Sequence, residues 1–129
     1  MSIVLATDGK LHSNNAVDYA FTYAKNFNES LYVVKVITSR MEADIDYVLE
    51  TIHEAFEKLK QRGEEEGTET HTLIEYGQPA ESVMALAERL DASAIIIGTS
   101  EKTTLDRVIL GSISDHIVRS ARSTVIVVR

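Results

Sequence analysis

The residue types best suited to holding an anion are Gly98, Thr99 and Ser100 and, after ten intervening residues, Gly111, Ser112, Ile113 and Ser114. A glycine without Cβ lets the backbone approach a phosphate closely, and hydroxyls together with the N–H groups of a helix N-terminus donate to its oxygens. The same residues also suit a tight turn followed by an ordinary capped helix, so taken alone they leave both readings open. Thr7, Asp8 and Gly9 form a second candidate group: the carboxylate contacts a ligand or merely shapes a turn before glycine.

Other chemistries find less support. Gly9-Lys10 lacks the upstream glycine and the following Ser/Thr of a phosphate-binding Walker loop. The four histidines, His12, His53, His71 and His116, are scattered, and His53-Glu54-Ala55-Phe56-Glu57 lacks the second histidine of a zincin helix. No metal site is expected. Gly-x-Ser-x-Gly is absent, and no histidine is placed to serve a serine as base, which argues against a hydrolytic triad. The chain has no cysteine, which removes disulfides, thiolate metal sites and cysteine nucleophiles.

The formal net charge is −7, which disfavours generic binding to nucleic acid. Its distribution is uneven. Residues 39 to 91 carry five basic and fourteen acidic side chains, whereas residues 98 to 129 carry five basic and three acidic. An anion is therefore better received in the C-terminal third, where the Gly98 to Ser114 group lies. The acidic face of the second helix reads as solvation.

Positioning these residues requires a scaffold, and the apolar pattern supplies one. Ser2 to Thr7, Leu31 to Ile37, residues 70 to 76, Ala94 to Ile97 and Val125 to Val128 read as short strands. Helices are expected between them. The first has Ala16, Val17, Ala20, Phe21 and Ala24 inward, with Ser13 or Asn14 as its cap. The second starts at Ile45, buries Val48, Leu49, Ile52, Phe56 and Leu59, and stops near Gly63, leaving Glu64 to Gly67 as a solvated connection. The third opens at Pro79 and buries Val83, Met84, Leu86, Ala87 and Leu90. The fourth begins at Gly111-Ser112 with Ser112 and Asp115 as a capping box, and turns Ile113, Ile117, Val118 and Ala121 inward.

The order βαβαβαβαβ predicts an α/β fold, a doubly wound parallel sheet with helices on both faces. Ligands of such sheets bind beyond the strand C-termini, where the strand order reverses. Length, at 129 residues, suits a single domain over 1–129. No apolar run reaches membrane-spanning length and no signal peptide opens the chain, so the expected location is cytoplasmic, with no membrane partner.

The stretch from Gly98 to Val128 resembles the C-terminal signature of universal stress proteins: a strand, Gly-x-x-Gly, nine residues, Gly-Ser, a helix and a final apolar strand. Asp8-Gly9 after the first strand and Gly77-Gln78-Pro79-Ala80 before the third helix match the family pattern too. The resemblance implies a five-stranded sheet in the order 3-2-1-4-5 with four helices and, in one branch of the family, ATP binding. Carried over by position, Asp8 would meet the ribose or metal region, backbone near Val36 the adenine, and Gly98, Gly111, Ser112 and Ser114 the phosphates. It also implies an antiparallel homodimer through Val125, Ile126, Val127 and Val128, at a sheet edge whose unpaired groups invite pairing.

The chain departs from that pattern in places. Glu101 stands where the second glycine of Gly-x-x-Gly belongs, and Lys102 and Arg107 offer charges that would offset it. Lys10, Ser93 and Thr124 replace the family's serine, aspartate and proline. The expected function is binding of ATP or AMP, with or without magnesium, by a stress-response sensor or regulator. The alternative is a protein-interaction module that has lost the nucleotide through Glu101. An enzyme of the adenine-nucleotide α-hydrolase kind is a third possibility, weakened because Asp8-Gly9-Lys10-Leu11 lacks that class's glycine- and serine-rich loop. No general base supports more than slow hydrolysis.

Overall fold

The computed structural model describes residues 1–7, 14–98 and 111–129. Among them, strands β1 (Ser2–Ala6), β2 (Ser30–Ile37), β3 (Thr70–Tyr76), β4 (Ala94–Gly98) and β5 (Thr124–Val128) alternate with helices α1 (Asn14–Phe27), α2 (Ile45–Glu66), α3 (Pro79–Leu90) and α4 (Ser112–Ser120). Every pairing is parallel and the order is β3-β2-β1-β4-β5. The doubly wound parallel sheet expected from the alternation of elements is present, in the order 3-2-1-4-5 that the family resemblance implies.

The central strands lack polar alternation because helices cover both of their faces. The period of two divides their side chains between two cores. Ile3, Leu5, Val33 and Ile96 pack with Ala16, Ala20 and Phe21 of α1 and with Ile52, Phe56 and Leu59 of α2. Val4, Val34, Val36, Ile95 and Ile97 pack with Val83, Leu86 and Ala87 of α3 and with Ile117 of α4. Each large aliphatic chain so removed from water contributes about 1.5–3 kcal/mol, and these cores fix where the strand ends stand. Across the first layer, Arg62 of α2 lies 4.5 Å over the Phe21 ring and donates to Asp18 of α1 at 2.6 Å and to Glu66 at 2.5 Å.

Several boundaries differ from the sequence reading. Helix α2 does not stop near Gly63; it continues through Glu64, Glu65 and Glu66 to a left-handed Gly67 at φ 73°, whose N–H donates to the Gly63 carbonyl. Gly63 is an interior glycine because the helix presses on β3 there: a Cβ on it would stand 2.1 Å from Thr70 Oγ1. A 3₁₀ turn over Ser39–Asp44, unanticipated, joins β2 to α2. β1 closes at Ala6, β4 reaches Gly98, and β5 starts at Thr124.

Helix α4 also departs from expectation. Its N-cap is Gly111, Ser112 is the first helical residue, and among the described residues no side chain caps it. The capping box is not formed, because Asp115 pairs with Arg119 instead, at 3.0 Å. Ile117 is fully buried and Ala121 packs on the core, but Ile113 and Val118, expected inward, are 43% and 44% exposed. A nine-residue helix has room for one inward ridge, and Ile117 occupies it.

Candidate functional site

Strand order reverses at β1, which pairs with β2 on one side and β4 on the other. In a doubly wound sheet, ligands bind beyond the C-terminal ends of the two strands that flank this reversal, here β1 and β4. Thr7 stands at one of these ends, its N–H donating to the Val34 carbonyl at 3.2 Å. Gly98, the last residue of β4, stands at the other: Ala6 pairs with Ile97, so the next step brings Thr7 level with Gly98.

Helix α4 starts at this same end. Its successor β5 runs parallel to β4, so α4 descends from the C-terminal edge and presents its N-terminus there. The first internal bond runs from the Asp115 N–H to the Gly111 carbonyl, 2.9 Å. The N–H groups of Ser112, Ile113 and Ser114 therefore precede any partner within the helix, and they carry the positive end of its dipole. Gly111 has φ −66°, and a Cβ built on it meets nothing within 4 Å among the described residues. That open space is what a phosphate at these donors requires, and the four residues Gly111 to Ser114 fit such a group.

Val36 is buried by its side chain among Val4, Val34 and Ile97, so only its backbone is available. Val34 accepts from Thr7 on the β1 side, whereas Ile37 accepts from Gly77 on the β3 side, at 3.1 Å. Alternation then turns the Val36 N–H and carbonyl toward β1, at the level where that strand ends. The structure thus brings together Thr7, the Val36 backbone, Gly98 and the Gly111 to Ser114 turn along one edge. Asp8, Gly9, Thr99 and Ser100 lie outside the described residues, as do Lys10, Glu101, Lys102 and Arg107.

Lys35 was not singled out by sequence reasoning. Only 7% exposed, it is the buried charged side chain among the described residues. It is level with Ile74 of β3 and, one step past the Ala6–Val34 pair, with Thr7. Its alternation places it on the α1–α2 face, with Val33 and Ile37. A lysine is held in such a place only where other groups compensate its charge. The available signal was a lysine inside the otherwise apolar central run LYVVKVI.

The fold is that of a doubly wound α/β protein whose strand order reverses at β1. The chain belongs to the universal stress protein family, whose pattern it matches over residues 1–129. It is 32% identical over 98% of its length to a universal stress protein of Methanocaldococcus jannaschii, covering 81% of that protein. It is 33% identical over 99% of its length to a putative universal stress protein of Staphylococcus aureus, covering 83% of it. Among solved structures, a universal stress protein of Archaeoglobus fulgidus superposes with a TM-score of 0.80 at 25% identity, over 100% of this chain and 98% of that one. Two others share the fold: a universal stress protein in complex with cAMP, at 0.77 and 22% over 100% and 96%, and one of A. fulgidus in complex with dAMP, at 0.76 and 24% over 100% and 98%. Among the described residues, no helix is long and apolar enough to cross a membrane.

Proposed function

We propose that this protein binds an adenine nucleotide, ATP or AMP, in the switch-point crevice and serves as a stress-response sensor or regulator built as a homodimer of single-domain chains. The observation that carries the reading is the N-terminus of α4, where, among the described residues, nothing stands within 4 Å of a Cβ on Gly111 and no side chain caps the first N–H groups. In this placement the phosphates lie on Gly98, Gly111, Ser112 and Ser114, the adenine edge lies on the Val36 backbone, and Asp8 reaches the ribose or a phosphate-bound magnesium. That relatives of the same fold are solved with cAMP and dAMP supports adenine as the base. Among the described site residues, Thr7, Val36, Gly98 and Gly111 to Ser114, none carries a carboxylate or imidazole, and the role proposed for them is to hold and orient the ligand.

The homodimer uses β5, an edge strand whose sequence Thr124–Val128 carries no charge, whereas the opposite edge, β3, carries His71 and Glu75. Charges blunt an edge and their absence leaves it free to pair. Isothermal titration with ATP and magnesium, and with AMP, tests the binding: one site per chain is expected. No heat of binding, together with an unchanged melting temperature at millimolar ATP, defeats it.

Glu101 favours a second reading, a family member that has lost the nucleotide and keeps the dimer surface. A carboxylate where the pattern has glycine adds bulk and negative charge to a phosphate loop. If the native chain is silent and Glu101→Gly binds ATP, this second reading stands. If both are silent, the fault lies outside Glu101.

A further inference from the structure

Helix α1 carries an unexplained row on its surface. Asn15, Tyr19, Tyr23 and Phe27 follow one another at intervals of four, which aligns them along one side of the helix. Tyr19 and Tyr23 have ring centroids 6.4 Å apart, and Tyr23 and Phe27 4.6 Å. Tyr19 is 43% exposed and Phe27 63%, while Tyr23 leans on the core. The opposite flank of α1 faces α2, since Asp18 there meets Arg62. The aromatic row therefore lies on the flank toward β5, and Asn15 at its top donates to the Arg129 carbonyl just past that strand, at 2.9 Å.

This inference rests on the proposed β5 homodimer and specifies its second layer: the geometry points to the Tyr19–Tyr23–Phe27 row as the surface that meets its own copy across the paired β5 strands. Area is the first argument. Five residues of edge span only about 17 Å, and at a layer thickness of about 10 Å the strip covers ~170 Å², far below the ~800 Å² per partner of a stable interface. Aromatic side chains that bury about 150–250 Å² each are the kind of surface that makes up such a deficit.

Register is the second. Helix α1 runs antiparallel to β5 and descends about 1.5 Å per residue from Asn15, which is tied to Arg129, while the strand advances about 3.3 Å per residue. The middle of β5, Ile126, about 10 Å below Arg129, then lies at the level between Tyr19 and Tyr23. A two-fold axis through Ile126 places Tyr19 of one copy opposite the partner's Tyr23, and the reverse, as an isologous contact demands. Asn15 and the partner's Phe27 close the two ends.

Sedimentation equilibrium of the full chain tests this. The native chain sediments as a dimer, and Tyr19→Lys and Phe27→Lys each weaken it about tenfold, with the circular dichroism of the dilute chain unchanged. A native mass of one chain overturns the β5 homodimer and the row with it. A native dimer that neither substitution weakens overturns the row and leaves β5 pairing intact. Because the chain has no cysteine, Tyr19→Cys and Tyr23→Cys chains can be mixed and oxidised. A covalent pair supports the facing arrangement if Glu57→Cys on α2 gives none with Tyr23→Cys; a persistent dimer without the cross-link overturns it.

Discussion

A Cβ added to Gly63 and one added to Gly111 meet opposite surroundings, and the two glycines consequently serve different ends. At Gly63 it would stand 2.8 Å from Thr70 Cβ and 2.9 Å from the Thr68 carbonyl, neither of which is the free end of a flexible chain. Alanine is the better helix former by about 1 kcal/mol, yet Gly63→Ala is expected to destabilise by about 1–3 kcal/mol, the usual cost of overpacking. Thermal denaturation followed by circular dichroism measures which term wins. At Gly111 the same methyl meets nothing within 4 Å among the described residues, at an ordinary φ of −66°. Gly111→Ala should cost about 1 kcal/mol or less, the loss of a glycine at an N-cap, while weakening nucleotide binding by more than that, well over tenfold, because it fills the room a phosphate needs at the α4 donors. Titration and melting on the same sample separate the two effects, and a loss of stability that matches the loss of binding would count against the site.

Elements differ in how much of them the sequence revealed, and the reasons are local. The strand over residues 70 to 76 was legible to the residue because its β-branched and aromatic content ends against Gly77-Gln78-Pro79. The end of α2 was misplaced because glycine is both a helix terminator and the residue a close helix–strand approach requires, and sequence does not say which role Gly63 has. Gly67, four residues on, holds the left-handed cap. At φ 73° an L side chain is strained, so Gly67→Ala is expected to cost about 1–2 kcal/mol, and Gly67→Asn less, since asparagine tolerates that region. Urea denaturation of the two variants checks the order. The Ser112 capping box failed for a related reason: Gly111 already supplies the extended residue before the helix, and Arg119 one turn on competes for Asp115. The positions of Gly98 at the end of β4 and of Gly111 and Ser112 at the start of α4 were readable from turn and helix-start signals. Lys35 was not, because burial of a charge depends on which strands lie beside it.

At the scale of the whole molecule, the two ends of the sheet divide the work. At the C-terminal edge the Ser112, Ile113 and Ser114 N–H groups have no acceptor within their own helix. The N-terminal edge is stitched shut: the Ser30 N–H donates to the Met1 carbonyl at 3.0 Å, the Ser93 N–H to the Ser2 carbonyl at 2.8 Å, and Ser93 Oγ to Glu29 at 2.6 Å. Beside them Ser30 Oγ donates to Glu69, His71 Nε2 lies 3.2 Å from Glu69, and the His71 ring stacks on Tyr32 at 4.5 Å. The Ser30 hydroxyl, then the His71 hydrogen bond, hold the Glu69 carboxyl below its ordinary value. A carboxylate depressed in the folded state contributes stability that is present above its unfolded value and is lost as pH falls through the folded one. Glu69 is fully exposed, so the contribution is small and its signature is the pH dependence. Glu69→Gln should melt lower than the native chain at neutral pH and draw level with it as the pH falls below the ordinary glutamate range. Nucleotide affinity at neutral pH should not change, because Glu69 sits at the opposite end of the sheet from Gly98 and Gly111. Melting curves across acid pH, with one titration at neutral pH, test both halves; a Glu69→Gln chain that binds ATP more weakly would mean that the two ends of the sheet are coupled.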